Sequence, residues 1–302
     1  MTEKLYDLII IGGGPAGLTA AIYAQRAKLN CLLLEKVGLG GQIALSDVIE
    51  NYPGVGSISG AELMAKFEEH AKNFGAQIEF AEVEKVEDKG AYKTVKTTNG
   101  ELKTKAVLIA TGAKPRKLGV PGEAVFAGKG VSYCATCDGF FFRGKDVVVV
   151  GGGDTAVKEA VYLSKIVRQV TIIHRRNQLR AEKIIQEKAF AQPNIKFIWD
   201  SVVTEIYGQE KVAGVKVKNV KTNVVTDLKT DGVFIFIGIT PNADFIDVAK
   251  DKNGFIITDK FMATSMPGVY AAGDVRDTPL RQVATAVGDA AIAINSIGTF
   301  FS

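Results

Sequence analysis

Residues 7–17 read Asp-Leu-Ile-Ile-Ile-Gly-Gly-Gly-Pro-Ala-Gly, an apolar run that ends in a glycine-rich turn. A short apolar run bounded by glycine is typical of a strand buried in a parallel sheet. Glycines 12, 14 and 17 have the G-x-G-x-x-G spacing of turns that bind the pyrophosphate of a dinucleotide. An alanine-rich helix over 18–27 and a strand over 31–34 follow. Glu35 ends that strand, where a carboxylate accepts hydrogen bonds from a ribose.

The same pattern occurs again from residue 146. An apolar strand over 147–150 leads into Gly-Gly-Gly-Asp-Thr-Ala at 151–156, a helix to about 166 and a strand over 170–173. Gly12 to Glu35 and Gly151 to His174 are both steps of 23 residues. This spacing indicates an internal repeat of a whole βαβ unit. One glycine turn alone could be a tight turn without a ligand, but two copies in the same context favour two bound nucleotides.

The two copies differ at their ends. The first ends in Glu35, whereas the second ends in His174-Arg175-Arg176, with Arg180 shortly after. Arginines bind a 2′-phosphate, which a carboxylate would repel. The second copy therefore predicts NADPH, and the first predicts a nucleotide with a free ribose, such as FAD or NAD. The alternative for the arginines is a solvated helix start.

A cysteine pair, Cys134-Ala135-Thr136-Cys137, precedes the second copy and is followed by Asp138. C-x-x-C motifs lower the thiol pKa and favour disulfide exchange. Asp138 is a candidate for moving the proton that a newly formed thiolate needs. The alternatives are a zinc half-site, a pair of inert thiols, and an Asp138 that merely caps a turn. With two histidines and no second C-x-x-C, no metal site is expected. Cys31 lies in a strand and is interpreted as a core residue.

Length and composition limit the remaining possibilities. The 302 residues are 47% apolar and 23% charged, with a net charge of +4. Such a chain forms about two packed domains and is too weakly basic to predict nucleic-acid binding. We find no signal peptide and no apolar run long enough for a membrane span, so the expected location is cytoplasmic.

Two segments rich in proline and glycine, 113–122 and 238–242, punctuate the chain. They predict that a second domain, 114–242, is inserted into a first domain made of 1–113 and 243–302. The expected fold is α/β, with two Rossmann-like dinucleotide-binding domains. The first would bind FAD or NAD, and the second would bind NADPH and carry the C-x-x-C pair.

In their order along essentially the whole chain, these motifs resemble those of the low-molecular-weight thioredoxin reductases, which are FAD- and NADPH-dependent. The cysteine pair lies in the second domain, as it does in that family. The matching segments are residues 12–17, 40–42, 50–54, 110–112, 134–139, 151–156, 174–176, 272–274 and 281–286.

The resemblance implies specific site residues and a homodimer. For FAD they are Gly12, Gly14, Pro15, Ala16, Gly17, Glu35, Gly41, Gln42, Asn51, Thr111, Gly112, Gly273, Asp274, Arg281, Gln282, Val283 and Ala284. For NADPH they are Gly151, Gly153, Asp154, Thr155, His174, Arg175, Arg176 and Arg180. In such enzymes Cys137 faces the flavin, Cys134 attacks the disulfide of thioredoxin, and Asp138 handles the proton.

The expected activity is therefore electron transfer from NADPH through FAD and the Cys134–Cys137 disulfide to thioredoxin, which maintains redox homeostasis. A ferredoxin-dependent flavin disulfide reductase and an oxygen-using dithiol oxidase are alternatives of the same fold. Neither would need the second glycine turn or its arginines. A non-enzymatic redox sensor is a further alternative. Because NADPH and the dithiol belong to one domain and must serve one flavin, we expect rotation at the two links.

Overall fold

The structure is a computed structural model that describes residues 5–45, 49 and 51–301, without the side chains of Leu45, Thr136 and Cys137. The chain divides into two compact units, one formed by Met1–Lys114 with Thr240–Ser302 and the other by Pro115–Ile239. The boundaries expected from the sequence, 113/114 and 242/243, differ from these by one and three residues. The second unit is thus inserted into the first.

The first unit is built on a seven-stranded sheet. Its strands are β1 Leu5–Ile11, β2 Cys31–Glu35, β3 Gln77–Phe80, β4 Val83–Asp88, β5 Lys93–Thr97, β6 Gly100–Ile109 and β17 Val269–Ala271. The order is β3-β2-β1-β6-β5-β4, with β17 also paired to β6. Strands β3, β2, β1, β6 and β17 are parallel, while β4 and β5 add an antiparallel extension to the first half of β6.

Three helices cover this sheet: α1 Pro15–Arg26, α2 Gly60–Asn73 and α6 Val283–Phe300. Within the described ranges, α6 is the one helix long and apolar enough to cross a membrane. Most of its buried residues, among them Ala286 and Ala290, lie in the same core cluster as the buried apolar residues of α1. A core helix has the same composition, so α6 is weak support for a membrane span.

The second unit repeats this plan around a five-stranded sheet. Its strands are β8 Val131–Ser132, β9 Asp146–Val150, β10 Gln169–Ile173, β11 Ile195–Ile198 and β15 Gly232–Ile235, in the order β11-β10-β9-β15-β8, all parallel. A separate antiparallel sheet contains β12 Ser201–Gly208, β13 Val212–Asn219 and β14 Val225–Lys229. The helices are α3 Ala135–Asp138, α4 Asp154–Ser164 and α5 Lys183–Phe190.

The α/β class with parallel Rossmann-like sheets is thus confirmed. The repeat also extends further than the glycine turns indicated, because β3-β2-β1-β6-β17 and β11-β10-β9-β15-β8 have the same order. The last strand of this order, β17 in the first unit and β8 in the second, comes from a different place in the chain. In the first unit it follows the βαβ segment in sequence, and in the second it precedes it. The two short connecting strands, β7 Ala113–Pro115 and β16 Ile239–Pro241, pair with each other.

Candidate nucleotide and disulfide sites

The first glycine turn has two positions that only glycine can fill. Gly12 has φ +110°, and a Cβ there would lie 2.4 Å from the Ala110 carbonyl oxygen. A Cβ on Gly17 would lie 1.7 Å from the Gly12 carbonyl oxygen. At Gly14 the nearest atom is 4.0 Å away. Packing therefore requires the first and third glycines, whereas the second leaves the backbone open to a ligand at the start of α1.

Glu35 lies beside this turn. The Gly13 N–H donates to Glu35 Oε2 at 2.7 Å, and the Val37 N–H donates to Oε1 at 3.0 Å. Two backbone donors therefore fix the carboxylate at the carboxyl end of β2. Each of its oxygens keeps acceptor capacity, which suits the hydroxyls of an unphosphorylated ribose.

Other residues expected to bind FAD are brought to the same turn from distant parts of the chain. A Cβ on Gly41 would be 3.4 Å from Gly14 Cα, and one on Gly273 would be 3.3 Å from Ala16 Cβ. Thr111 follows Ala110, whose carbonyl packs on Gly12. Segments 12–17, 40–42, 110–112 and 272–274 therefore converge in the first unit. Pro15, Gln42 and Gly112 belong to these segments.

The remaining FAD candidates lie around the start of α6. Asn51 Nδ2 donates to Gln282 Oε1 at 2.9 Å, across 231 residues of sequence. Gln282 precedes Val283, the first residue of α6, and Ala284 follows. The Arg281 guanidinium carbon lies 4.1 Å from the centre of the Phe255 ring. The structure thus places these residues together at a helix N-terminus.

The carboxyl of Asp274 is half-buried at this point. Burial raises its pKa, the nearby Asp289 adds to the rise, and Arg281 opposes it. The sequence reasoning missed Asp289, whose Oδ2 accepts from the Gly273 N–H at 3.1 Å and from Arg276 Nη1 at 3.0 Å. Asp289 thereby holds the backbone that carries Asp274. The signal for it is an acidic residue inside an otherwise apolar helix.

The second glycine turn has the same steric requirements as the first, but a different side chain faces its open glycine. Gly151 has φ +147°, and a Cβ there would lie 2.3 Å from the Phe236 carbonyl oxygen. At Gly153 the nearest atom, Arg180 Nη2, is 3.9 Å away. Gly153 precedes α4 as its N-cap, and Ala156 takes the third small position. The open second glycine is again at a helix N-terminus, but here a guanidinium faces it.

Cationic and polar groups converge beside this turn. His174 is buried and packs on Gly152, whose Cβ would be 2.4 Å from the imidazole ring. Its Nε2 has no hydrogen-bond partner among the residues that the structure describes. The Arg180 N–H donates to the Gly152 carbonyl at 2.7 Å. Arg175, Arg176 and Arg180 are exposed, and among the described residues none of their guanidinium groups forms an ion pair. This set fits a phosphate.

Asp154 and Thr155 are the first two residues of α4 and are exposed. Asp154 Oδ1 accepts a hydrogen bond from the Glu182 N–H at 2.8 Å, and Glu182 is the N-cap of α5. The Asp154 carboxylate therefore ties the start of α5 to the start of α4. This structural role was not expected from the resemblance.

The cysteines lie in two different environments. Cys134 is half-buried and disulfide-bonded. Cys137 belongs to α3, but its side chain lies outside the described part of the structure. Cys31 is free and 3% exposed, and burial raises its pKa to about 12. A buried thiol of that pKa stays protonated and unreactive at neutral pH, which confirms the interpretation of Cys31 as a core residue.

Local contacts hold the Cys134 segment. The Cys134 N–H donates to Ser132 Oγ at 3.1 Å, and the Ser132 hydroxyl donates back to the Cys134 carbonyl at 3.0 Å. Ala135 is fully buried in the core of the second unit. A Cβ on Gly139 would lie 2.9 Å from Leu163, in the last turns of α4. The same helix therefore carries the glycine turn at its start and supports the C-x-x-C segment near its end.

Asp138 is half-buried one residue after Cys137. Its N–H donates to the Cys134 carbonyl at 3.3 Å. It stands at the N-cap of the 3-10 helix Gly139–Phe142, yet its side chain makes no capping hydrogen bond. Within the described part of the chain, this contradicts the alternative interpretation of Asp138 as a cap of that turn.

An aromatic surface next to this segment was missed from the sequence. Phe140 and Phe141 are 63% and 72% exposed, and the Arg143 guanidinium carbon lies 4.5 Å from the centre of the Phe140 ring. Phe142 is buried and packs edge-on against Phe234. In the sequence, this aromatic surface is indicated by three consecutive phenylalanines after Asp138-Gly139. Two adjacent exposed phenylalanines favour contact with a protein partner.

Comparison with known proteins places the chain in a family. Residues 6–290 match the family described as pyridine nucleotide-disulphide oxidoreductase. A thioredoxin reductase from Bacillus subtilis (strain 168) is 48% identical over 298 residues, which are 98% of this chain and 94% of that protein. One from Listeria monocytogenes is 46% identical over 294 residues, covering 96% and 92%.

Solved structures agree with these relatives. The crystal structure of Lactococcus lactis thioredoxin reductase has a TM-score of 0.88, at 48% identity over 98% of each chain. The crystal structure of T. acidophilum thioredoxin reductase has a TM-score of 0.85, at 40% identity over 98% of this chain and 99% of that one. The chain therefore belongs to the pyridine nucleotide-disulphide oxidoreductase family, within its thioredoxin reductase group.

Proposed function

We propose that this enzyme uses NADPH and FAD to reduce the disulfide of thioredoxin through the Cys134–Cys137 pair. In balance, NADPH and one proton reduce one disulfide to two thiols and leave NADP⁺. The observation that carries the proposal is the contrast between the two glycine turns. One ends in a carboxylate, and the other ends in three arginines that form no ion pair with any described residue. The names of the relatives support thioredoxin as the substrate.

FAD fits the first unit. The open backbone at Gly14, the N-terminus of α1 and the fixed carboxylate of Glu35 suit a pyrophosphate and an unphosphorylated ribose. The half-buried Asp274 carboxyl, with its raised pKa, suits a hydroxyl of the cofactor. Bound FAD supplies a carrier that takes the hydride of NADPH and delivers two electrons to a disulfide.

NADPH fits the second unit. Gly153 leaves the N-terminus of α4 open for the pyrophosphate, and the arginines provide charge-assisted hydrogen bonds for a 2′-phosphate. Burial and the neighbouring arginines lower the pKa of His174, which favours its neutral form. Its unpaired Nε2 can then form one further hydrogen bond to the nucleotide. An NADH-selective site would present a carboxylate here, as Glu35 does in the first unit.

The chain's own redox step is a disulfide exchange. We propose that Cys137 is the sulfur that receives electrons and that Cys134, once reduced, attacks the disulfide of thioredoxin. Reduction of the pair produces two thiolates, and Asp138 delivers and later removes the proton that one of them takes up. The exposed Phe140 and Phe141 provide an apolar surface on which a protein substrate can rest.

We further propose that the enzyme works in the cytoplasm as a homodimer. A reduced C-x-x-C pair that cycles with NADPH suits a reducing compartment. The dimer follows from the resemblance to thioredoxin reductases alone, and sedimentation of the purified protein measures it directly.

The deciding experiment is a steady-state assay on the purified yellow protein with oxidised thioredoxin as acceptor. NADPH, NADH and reduced ferredoxin are compared as electron donors, with oxygen as the alternative acceptor. We expect turnover with NADPH and thioredoxin, and far less with NADH or ferredoxin. Turnover that depends on ferredoxin, or NADPH oxidation that needs only oxygen, would contradict the proposal.

A further inference from the structure

The residues that would bind a 2′-phosphate lie on a loop, 174–180, that we call the arginine loop. It is held by backbone hydrogen bonds to the last residue of β11 and to the segment that follows it. The His174 N–H donates to the Ile198 carbonyl at 3.0 Å, and the Ser201 N–H donates to the His174 carbonyl at 3.0 Å. The Asp200 N–H donates to the Arg176 carbonyl at 3.2 Å. Asp200 is thus the partner closest to the guanidinium-bearing residues.

Asp200 adopts an unusual backbone conformation to make this bond. Its φ is +51°, in the left-handed region that favours glycine and that asparagine and aspartate also tolerate. In this conformation the Asp200 carbonyl accepts from the Val220 N–H at 2.7 Å. Asp200 therefore connects the arginine loop on one side with the hairpin turn between β13 and β14 on the other.

The hairpin turn also fixes the side chain of Asp200. Lys221 Nζ lies 2.8 Å from Asp200 Oδ2, and their side chains are 62% and 19% exposed. Asn219 Oδ1 accepts from the N–H groups of Lys221 and Thr222, both at 3.0 Å. The turn therefore presents Lys221 to Asp200 from an ordered backbone, which lowers the entropic cost of the ion pair.

The ion pair between Asp200 and Lys221 also affects the electrostatics of the arginine loop. A lone carboxylate next to a loop that binds an anion would weaken that binding, as Glu35 would in the other copy. Lys221 neutralises Asp200 locally. The arrangement thus keeps the backbone bond to Arg176 without leaving an uncompensated negative charge beside the arginines.

We propose that Asp200 is a positioning residue that sets the arginine loop for 2′-phosphorylated adenine nucleotides, and that Lys221 makes it effective. The proposal rests on the proposed NADPH site. It assigns part of the cofactor selectivity to two residues that would not contact the nucleotide. Asp200 directly precedes β12, and Lys221 lies in the turn between β13 and β14. Asparagine at position 200 would keep the backbone conformation but weaken the pairing with Lys221.

The test measures binding of two probes to the FAD-loaded protein by titration calorimetry. Adenosine 2′,5′-bisphosphate carries the 2′-phosphate, and adenosine 5′-monophosphate lacks it. The variants are Lys221→Met, Asp200→Gly, which retains access to positive φ, and Asp200→Asn. The control is Lys216→Met, because Lys216 forms a similar exposed ion pair in the same sheet, with Glu205 at 2.7 Å.

We expect Lys221→Met to weaken binding of the bisphosphate by about two- to fivefold, the range of an exposed ion pair. Asp200→Gly and Asp200→Asn should each weaken it less than Lys221→Met does, because both keep the backbone N–H that bonds Arg176 and neither leaves an unpaired carboxylate beside the arginines. Binding of the monophosphate and the result for Lys216→Met should stay within about twofold of wild type. Equal losses for both probes would show a merely structural role and overturn the proposal, as would unchanged bisphosphate binding in Lys221→Met.

A fifth variant, Arg175→Ala with Arg176→Ala, separates this inference from the proposed function. If it does not reduce the preference for the bisphosphate, the assigned NADPH site itself is wrong. If it does, while Asp200→Gly and Lys221→Met leave the preference intact, only the positioning role is wrong.

Discussion

At the scale of single residues, we expect Arg175 and Arg176 to decide the choice of nicotinamide cofactor. Replacing both with alanine should raise KM for NADPH at least tenfold, because each charge-assisted bond to a phosphate contributes about 1.5–3 kcal/mol. KM for NADH should change little, since NADH has no 2′-phosphate. Parallel initial-rate measurements with the two cofactors check this. A similar loss for both would mean that the arginines only maintain the fold.

Cysteine substitutions distinguish the flavin half of the reaction from the disulfide half. Cys137→Ser should bind FAD and be reduced by NADPH, yet lose turnover with thioredoxin, because exchange needs both sulfurs. Stopped-flow flavin absorbance and the thioredoxin assay measure the two steps. Cys31→Ser is the matched control and should keep its rate, since that thiol is buried with a pKa of about 12. Retained turnover in Cys137→Ser would rule out this pair as the electron carrier.

His174 gives a pH dependence of stability with a defined sign. Its pKa in the folded protein is lowered from 6.5 by burial, with Arg180, Arg175 and Arg176 contributing. The unfolded chain therefore binds this proton more readily than the folded protein. The contribution of His174 to the free energy of unfolding is fully present above pH 6.5. It is lost as pH falls from 6.5 toward the lower pKa that His174 has in the folded protein.

Chemical denaturation between pH 7.5 and 5 measures this loss, where about one unit of pKa difference corresponds to ~1.4 kcal/mol. His174→Gln is the control, and its free energy of unfolding should decline less over that interval. Identical pH profiles would show that other groups account for the change.

At the scale of elements, the contact between α1 and β1 depends on Gly17. A Cβ there would lie 1.7 Å from the Gly12 carbonyl oxygen, so Gly17→Ala must displace the helix from the turn. We expect the purified variant to lose FAD and to lose about 1–3 kcal/mol of stability. The FAD absorbance per protein and a denaturation curve provide the measurement.

Gly288→Ala is the matched control for that substitution. Gly288 lies within α6, and a Cβ there has nothing within 4 Å. Alanine should therefore stabilise the helix by roughly 0.5–1 kcal/mol and leave FAD bound. If both variants kept FAD and stability alike, close helix–strand packing at the first turn would not be the reason for Gly17.

At the scale of the whole molecule, the positions of the second glycine turn and the C-x-x-C segment lead us to expect that the second unit moves during the reaction. The glycine turn and the C-x-x-C segment lie toward opposite ends of α4, an 11-residue helix of about 16 Å. We propose that both groups serve the FAD of the first unit in turn, by rotation at the links around β7 and β16. A cross-link between engineered cysteines, one in each unit, should block one half-reaction and spare the other. Wild-type rates for both half-reactions in a verified cross-linked sample would contradict the rotation.

Local patterns in the sequence determined the α/β class, the two βαβ units and the placement of one inside the other. Apolar runs such as 8–11 and 147–150 can be recognised as buried strands because parallel strands are covered on both faces. Gly12, Gly17 and Gly151 could be identified because their conformations and contacts exclude a side chain, so the requirement is already visible in the residue type.

Only the tertiary structure decided which distant groups meet. It brought Asn51 to Gln282, Asp289 to Gly273, and Asp200 with Lys221 to the arginine loop. It also showed that Asp154 holds the start of α5 and that the Asp138 side chain forms no capping hydrogen bond with the described residues of the 3-10 helix after it. Such contacts join residues far apart in the chain or depend on a side-chain direction, and neither spacing nor residue type encodes them. Hydrophobic periodicity reports which face of an element is buried, whereas the partner of a polar group is chosen by the packing of the whole unit.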